Sequence, residues 1–379
     1  MPKANIGIIG GGIGGVAAAV ALRRAGIQTV VYERASQLRE GGAGMMLWPN
    51  ATRVLRELGL LDILAARCSP NTHFLVRSSS GKILMKIALG EFEVPAICAR
   101  RSDLLHTLLT ALPTHCVHLD HAFHHLEQSK NKVRIYFENG AVKEHDAVIG
   151  ADGVRSRVRA ELFGDSAPIY RGYAVWRGVG RYDGAAVSPG DNSETWGSGK
   201  RFGILNIGQD CFAWYATANV SADHQDGPSG RKLELQKMFA GWHDPIADLI
   251  AATDEKSIMK HGAYDRPALQ RWGARMVTLL GDAAHPCTPN LGQGGCMALE
   301  DALALAKCAA EEDSIETSLR RYESLRRGRT SHIQQRSLLM GRIGQWESRL
   351  FVGGRKVVTR LLPAKLFEYN LRRTYSYEI

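Results

Sequence analysis

The sequence opens with a glycine-rich stretch whose spacing could hold the pyrophosphate of a dinucleotide. Residues 10–15 read Gly-Gly-Gly-Ile-Gly-Gly and fit the pattern GxGxxG. In this pattern Gly10 makes the turn, Gly12 leaves room for the pyrophosphate, and Gly15 lets the following helix pack closely. Glu33 follows about twenty residues later at the end of a predicted strand, where a carboxylate binds both ribose hydroxyls and repels an adjacent phosphate. The pattern therefore predicts a site for FAD or NAD, without distinguishing between them.

Two further polar turns could contact the same ligand. Asp152-Gly153 follows a predicted buried strand and precedes an arginine-bearing helix, although a simple capped turn explains the same residues. Residues 281–296 form a longer motif. In it Asp282 could hold the hydroxyls of a polyol, and glycine-rich backbone amides before a helix could stabilise a developing anion. This third motif carries the most specific chemistry in the sequence.

The region 170–264 is rich in aromatic residues that could stack on a ring-shaped substrate. Its alternating segments are typical of a sheet, and several of its aromatic residues have arginine neighbours. Substrate contacts are expected from this group, with packing as the competing interpretation for each member: Trp176, Trp196, Arg201, Trp214 and Tyr215. A base that removes a phenolic or N–H proton could be His285 or Tyr215, and the sequence does not choose between them.

The order of predicted strands and helices explains how these residues come together. A strand over 4–9, a helix over 14–25 and a strand over 28–32 form a nucleotide-binding beginning. Buried strands are also predicted over 147–150 and 276–280, on either side of the aromatic region. The nucleotide-binding lobe is therefore assembled from segments that are distant in the sequence.

The composition is that of an ordinary globular protein of 379 residues, 45% hydrophobic and 23% charged. The seven cysteines are scattered, and the histidines between 115 and 125 lack ligand spacing, so we expect reduced thiols and no metal site. No stretch has the pattern of a signal peptide or a spanning helix, which predicts a cytoplasmic protein. The net charge of +10 comes largely from arginines spaced along predicted helices, which is typical of solvated helix faces.

With the three motifs in this order, the chain resembles the class A flavoprotein monooxygenases, the family of para-hydroxybenzoate hydroxylase, over almost its whole length. The resemblance implies that FAD is the cofactor and that NADH or NADPH reduces it transiently. It assigns cofactor contacts to residues in and near the motifs: Gly10, Gly12, Gly15, Glu33, Arg34, Arg101, Asp152, Asp282, Pro289, Gly292, Gly294 and Gly295. Asp282 would bind the ribityl chain. Pro289 and the glycines after it would lie at the isoalloxazine ring, which gives Pro289 a place in catalysis.

The family's activity implies that O2 is used to hydroxylate an aromatic or N-heteroaromatic small molecule through a flavin C4a-hydroperoxide. Residues 195–203 and 341–348 look like the branch that contains 2-heptyl-4-quinolone 3-hydroxylases, which favours a bicyclic or fused N-heteroaromatic substrate over a simpler phenol. Residues 290–296 also resemble urate hydroxylase and zeaxanthin epoxidase. Epoxidation of an isoprenoid-type substrate and a non-catalytic flavin-binding module therefore remain alternatives. Nucleic acid is not an expected partner, and the oligomeric state cannot be read from the sequence.

The predicted fold is α/β, with a Rossmann-like FAD-binding domain of the GxGxxG type, an inserted mixed β-sheet substrate domain and C-terminal helices. The FAD-binding domain is expected to be discontinuous, over 1–72, 98–169 and 265–330. The substrate-binding sheet domain is expected over 73–97 and 170–264.

The C-terminal helical region is expected over 331–379. It contains apolar residues at helical spacing with basic residues between them: Val357, Val358, Leu361, Leu362 and Leu366. We predict that this helix packs over the FAD-binding domain. A weak contact with a membrane surface is the alternative.

Overall fold

The computed structural model describes residues 4–38, 43–89, 92–164, 166–182, 184, 187–188, 190–361, 371–372 and 374–379. Leu362 and Leu366 of the predicted C-terminal helix lie outside the described residues. The strands of the described chain are β1 (Asn5–Ile9), β2 (Gln28–Tyr32), β3 (Gly44–Leu47), β4 (Ser69–Pro70), β5 (His73–Ser78), β6 (Ile83–Ala88), β7 (Ile97–Arg100), β8 (Val117–His118), β9 (Phe123–Gln128), β10 (Val133–Phe137), β11 (Val142–His145), β12 (Ala147–Gly150), β13 (Ile169–Arg181), β14 (Asp191–Trp196), β15 (Lys200–Asn206), β16 (Cys211–Asn219), β17 (Met259–Asp265), β18 (Gly273–Ala274) and β19 (Val277–Leu279). The helices are α1 (Ile13–Arg24), α2 (Pro49–Glu57), α3 (Leu61–Ala65), α4 (Arg101–Thr110), α5 (Arg157–Phe163), α6 (Arg231–Met238), α7 (Ile246–Ala252), α8 (Gly294–Glu311), α9 (Ile315–Gly344) and α10 (Arg349–Leu361).

A mostly parallel six-stranded sheet begins the fold, in the order β18-β19-β12-β1-β2-β8. β1 pairs in parallel with both β2 and β12, and the apolar side chains of these central strands are buried. α1 follows β1 directly and packs against α8. The strand predicted over 28–32 coincides with β2, whereas α1 begins and ends one residue earlier than predicted. The carboxyl ends of the parallel strands therefore face the turns that carry the predicted cofactor residues.

A mixed seven-stranded sheet lies beside the first sheet, in the order β17-β13-β16-β15-β14-β5-β6. It combines strands from two distant segments of the chain, because β14 pairs in parallel with β5 while the other neighbours pair antiparallel. The predicted α/β fold with an added mixed sheet is confirmed. The division into domains remains a prediction. Two three-stranded sheets, β11-β10-β9 and β3-β7-β4, flank the larger sheets.

The two faces of the seven-stranded sheet have different surroundings. On one face an apolar cluster packs beneath α6 and α7, and it contains Trp176, Phe202, Ile204, Phe212 and Trp214. The side chains that alternate with these residues point to the other face, towards the first sheet. The sheet therefore has one face that serves only as core and one face that can meet a ligand.

α9 is a continuous helix of 30 residues, and it crosses the boundary predicted between residues 330 and 331. Buried side chains recur along the helix on both sides of that position, so both halves of α9 pack on the protein. α9 packs against α8, and α10 packs against β6 at the edge of the seven-stranded sheet. In the described part of the chain, no helix combines the length and apolar character needed to cross a membrane.

Candidate active site

The glycine-rich turn between β1 and α1 has the shape of a nucleotide-binding turn. Gly10 has a φ of +114°, and a side chain there would collide with the Ala151 carbonyl group. A side chain on Gly15 would collide with the Gly10 carbonyl group, so both positions need glycine. The space around the Cβ position of Gly12 is open, and Gly12 precedes α1 without a side-chain cap. The first amides of α1 therefore face a space that a pyrophosphate can fill.

Glu33 directly follows β2 beside this turn. Its Oε2 accepts a 2.7 Å hydrogen bond from the Gly11 amide, and its Oε1 accepts a 3.0 Å bond from the Ala35 amide. These bonds hold the partly exposed carboxylate at the edge where the ribose of a dinucleotide is expected. Arg34 follows Glu33 and is exposed.

Asp152 follows β12 at the same edge of the six-stranded sheet. Its Oδ2 accepts hydrogen bonds from the amides of Arg157 and Val158, at 2.7 and 3.2 Å, so the capped-turn interpretation describes part of its role. Burial raises the pKa of Asp152. Its Oδ1 is buried and has no hydrogen-bond partner among the described residues. One carboxylate oxygen is therefore left for a ligand.

Asp282 lies in a 3-10 turn, Gly281–Ala283, that follows β19. Its side chain is exposed towards a cavity that it lines. The protein around this cavity desolvates the carboxylate and raises the pKa of Asp282, while the charges of His285 and Arg101 act in the opposite direction. Arg101, at the start of α4, is therefore close to Asp282, although the two residues are far apart in the sequence.

The backbone after Asp282 forms one wall of this cavity. A second 3-10 turn, Pro289–Leu291, ends at Gly292, whose φ of +61° is left-handed. Gly294 begins α8, and a side chain on Gly295 would meet Met45. Pro289 and these three glycines all line the cavity. A surface of backbone next to a carboxylate suits a flat ring with a polyol chain, so the residues present fit FAD.

A buried network of charges holds this wall in place. Asp301 accepts hydrogen bonds from the Gly281 amide at 3.0 Å and from Arg326 at 2.8 Å, and its other contact is His285 Nε2 at 2.5 Å. Burial alone would raise the pKa of Asp301, but the charges of His285 and Arg326 lower it to about 2. Glu300, the neighbour of Asp301 in α8, pairs with Arg326 as well. His285 is buried in this network and does not line the cavity, so its geometry supports the loop rather than a base at the substrate.

A cavity of about 490 Å³ lies between this wall and the seven-stranded sheet. Most of its lining is apolar and comes from β3, β5, β6, β13, β15, α9 and nearby residues: Met45, Met46, Trp48, Phe74, Val76, Met85, Ile87, Val175, Leu205, Met340, Leu371 and Tyr375. Such a lining excludes water and suits an aromatic ligand.

The polar end of the cavity is organised around Arg201 of β15. Its guanidinium donates to Glu194 Oε1 at 3.0 Å, to Gln345 Oε1 at 2.9 Å and to Asn290 Oδ1 at 2.6 Å. Asn290 in turn contacts the hydroxyl group of Tyr173. Arg201 is almost fully buried, so these bonds fix its position at the cavity.

Tyr215 of β16 lies next to this group and lines the cavity. Burial raises the pKa of Tyr215 well above its usual value, and the charge of Glu194 acts in the same direction. Across the sheet, Gly203 is paired with Tyr215, and a side chain on Gly203 would collide with the Tyr215 ring. Arg177, paired with Tyr215 on β13, also lines the cavity.

The predicted substrate residues divide between the two faces of the sheet. Trp196, Arg201 and Tyr215 line the cavity. Trp176 and Trp214 belong to the apolar cluster on the opposite face, because each is offset by one residue from a cavity-lining neighbour. The expectation of a substrate contact for Trp176 and Trp214 is corrected accordingly, and both are packing residues.

The fold and this arrangement define an FAD-dependent oxidoreductase. A family model described as "FAD binding domain" matches residues 3–337, and the chain belongs to this family. The predicted FAD cofactor and the assignment to the flavoprotein monooxygenases are both confirmed.

Relatives with named activities are similar over most of the chain. The aurachin C monooxygenase/isomerase of Stigmatella aurantiaca is 35% identical, over 98% of this chain and 97% of the relative. The 6-hydroxynicotinate 3-monooxygenase of Bordetella bronchiseptica is 34% identical, over 88% of this chain and 90% of the relative. The structure of Klebsiella pneumoniae HpxO with FAD and uric acid superposes with a TM-score of 0.93 at 26% identity, covering 98% and 97% of the two chains. The chain is therefore an enzyme, and the non-catalytic module is not supported.

Several residues at the polar end of the cavity were not predicted. Glu194 and Gln345 complete the contacts of Arg201, and Gly203 makes room for Tyr215. The available signal was Gly203 inside a strand, because a glycine there often marks a close approach, whereas Glu194 stands among other polar residues of β14 and gives no such signal. Gln345 had no such signal, because it approaches Arg201 from 144 residues further along the chain.

Proposed function

We propose that the protein uses FAD, NADH or NADPH, and O2 to hydroxylate a bicyclic or fused N-heteroaromatic small molecule. The observation that carries this proposal is a mostly apolar cavity with one polar end, placed directly against the backbone wall that fits the flavin ring. Hydroxylation is favoured over the epoxidation alternative, since the 6-hydroxynicotinate 3-monooxygenase oxygenates a ring compound according to its name, and the HpxO structure holds uric acid, a fused heterocycle, beside FAD. All seven cysteines are free thiols, which agrees with a reducing compartment such as the cytoplasm.

FAD, once bound along the glycine-rich turn, Glu33, Asp282 and the glycine wall, would supply the redox and oxygen chemistry. The protein would position the substrate and keep water away from the reacting atoms. Methionine and aromatic side chains around the cavity provide the dry surface. No protein nucleophile is needed in this scheme.

Arg201 would orient the polar edge of the ring. Its contacts with Glu194, Gln345 and Asn290 use three of the five N–H groups of the guanidinium. The remaining two N–H groups would donate to a carbonyl or ring-nitrogen acceptor of the substrate, since Arg201 lines the cavity. A heteroaromatic ring with such an acceptor therefore fits this end better than a hydrocarbon does.

Tyr215 would act as a neutral phenol. Because burial and the Glu194 carboxylate raise its pKa well above the usual value, the hydroxyl keeps its proton at physiological pH and does not remove one from the substrate. This single O–H group would donate either to Glu194 or, together with Arg177 and Arg201, to negative charge that develops on the substrate.

The first test is the absorbance spectrum of the purified protein, followed by anaerobic reduction with NADH and with NADPH. A panel of phenols, purines and 4-quinolones is added in turn, and oxygen uptake and product mass are then measured. We expect a flavin spectrum, faster bleaching with one heteroaromatic compound, and a product heavier by one oxygen atom. A protein that takes up FAD but consumes no oxygen with any ring compound would overturn the proposal.

A further inference from the structure

α10 carries its apolar residues on the side that faces solvent. Five large apolar side chains of this helix are each at least 56% exposed: Leu350, Phe351, Val357, Val358 and Leu361. Their spacing of 1, 7, 8 and 11 residues from Leu350 places them on one face of the helix. A helix that packs on a protein core normally buries this face. We call these five residues the outer stripe.

The opposite face of α10 is fixed to the protein. Val352 and Arg355 are buried, and Arg355 donates 2.7 Å hydrogen bonds to the carbonyl groups of Ile343, Gly344 and Gly197. The inner residues Val352 and Arg355, rather than the large apolar side chains, therefore hold α10 on the protein, and this leaves the outer stripe exposed. The contacts of this inner face are with β6, Gly197 and the end of α9, so the expectation that α10 packs over the FAD-binding domain is not confirmed.

Basic residues accompany the outer stripe. Arg349, Lys356 and Arg360 lie on α10, and the helix contains no acidic residue. On the adjoining end of α9, Leu339 is 56% exposed and lies three residues before the exposed Arg342. An apolar stripe flanked by cations is the pattern of a helix that lies in the interface of an anionic membrane.

The apolar part of the cavity lies behind the same helix. α10 packs against β6, and Thr359 on its inner side lines the cavity. β6 and its neighbour β5 contribute four apolar side chains to that region, where Phe74 pairs with Ile87 and Val76 pairs with Met85. One helix therefore separates an apolar compartment from an apolar outer surface.

We propose that α10 docks in the plane of an anionic lipid bilayer and gives the cavity access to substrates dissolved in that bilayer. The inference rests on the proposed function for the nature of the substrate, which would be a heteroaromatic ring with an apolar tail. α10 has 13 residues and is about 20 Å long, too short to span a bilayer of about 30 Å, so it lies along the surface. The outer stripe enters the acyl boundary, and the basic residues contact anionic headgroups.

A second copy of the chain fits this surface less well. A symmetric dimer through α10 would bring the same patch of both copies together. Arg349, Lys356 and Arg360 of one copy would then lie near those of the other, and like charges repel. A surface of opposite charge, such as phosphatidylglycerol headgroups, removes this cost.

The test is sedimentation of the FAD-loaded enzyme with vesicles of phosphatidylglycerol and phosphatidylcholine in equal parts, and with phosphatidylcholine alone. We expect binding to the anionic vesicles that weakens as NaCl is raised. In the triple variant L350S/F351S/L361S the partition coefficient should fall about tenfold or more, because three large apolar side chains no longer enter the bilayer. The matched control I63S/L233S/L325S removes three exposed apolar side chains elsewhere and should bind as the wild type does.

A charge variant separates the two contributions. R349Q/K356Q/R360Q should lose the preference for anionic vesicles and most of the salt dependence. Wild-type enzyme that stays in the supernatant at low salt would overturn the proposal, and so would a triple variant that binds as tightly as the wild type. A wild-type dimer in analytical ultracentrifugation that becomes monomeric in the triple variant would assign the outer stripe to a second copy instead.

The failure of this inference and that of the proposed function are distinguishable. The flavin content of the triple variant and its rate of reduction by NADH or NADPH should equal those of the wild type, because none of its three positions lines the cavity. Vesicle binding without any hydroxylation would leave the docking surface standing and overturn the activity. Hydroxylation without vesicle binding would support the proposed function and overturn the docking surface.

Discussion

The two faces of the seven-stranded sheet have similar aromatic content and opposite roles. Trp214 and Tyr215 are adjacent in β16, yet Trp214 is enclosed by the apolar cluster under α6 and α7, whereas Tyr215 meets the cavity. On β13, Trp176 and Arg177 are divided in the same way. The comparison teaches that the position of a residue in the pleat, rather than its type, decides whether it supports stability or chemistry.

The largest effect is expected on the packed face. Trp214→Ala removes a fully buried ring that stacks on Phe202 and donates a 2.8 Å hydrogen bond to Thr253. The free energy of unfolding should fall by about 3–5 kcal/mol, measured by urea denaturation. Folded variant protein should keep its KM for substrate. If Trp214→Ala raised KM without loss of stability, the division of the two faces would be wrong.

The next effect is expected at the polar end of the cavity. Arg201→Gln should lower kcat/KM about a hundredfold, or about 3 kcal/mol, because the variant removes the cation that orients the substrate. It also leaves the buried Glu194 carboxylate without its partner, which should lower stability.

The double variant R201Q/E194Q separates these two consequences. It should regain most of the lost unfolding free energy, because no buried charge is left unpaired, but it should not regain kcat/KM. Recovery of activity in the double variant would show that Arg201 supports the fold and does not meet the substrate.

A pair of glycine variants compares the faces directly. Gly203→Ala would push against the Tyr215 ring, and Gly178→Ala would push against the Trp214 ring on the other face. Both should cost about 1–3 kcal/mol of stability through overpacking. Only Gly203→Ala should also raise KM, by about tenfold, because it displaces a ring that lines the cavity. Equal changes in KM for the two variants would show that the two faces of the sheet do not differ in their relation to the substrate.

The smallest effect is expected for Tyr215→Phe. Loss of a single hydrogen bond from the phenol should lower kcat/KM about fivefold, or about 1 kcal/mol. Because the raised pKa keeps Tyr215 protonated below pH 10, this factor should be the same at pH 6 and pH 9. A limb in the wild-type pH profile of kcat/KM that disappears in Tyr215→Phe would show that Tyr215 ionises and acts as a base.

The cofactor motifs could be predicted because their information is local. Gly10 and Gly15 are required by the geometry of a single turn, and the strand predicted over 28–32 coincides with β2. The sequence could not predict which side chains of β13 and β16 face the cavity, because apolar and aromatic residues occupy both faces of these strands. Only the helices packed on the sheet show which face is core. His285 is similar: its role depends on Asp301, which packing of α8 brings to it.

The continuous helix α9 has a consequence for chimeric enzymes. Its 30 residues extend about 45 Å. Near its middle, Arg326 binds Glu300 and Asp301 of α8, and Arg329 binds Glu300. Just past its end, Gln345 binds Arg201 and Thr217 of the sheet. A crossover point inside α9 would join two halves of this helix that come from different parent enzymes. Exchange of substrate preference between relatives should therefore transfer the seven-stranded sheet together with α9 and α10 as one unit.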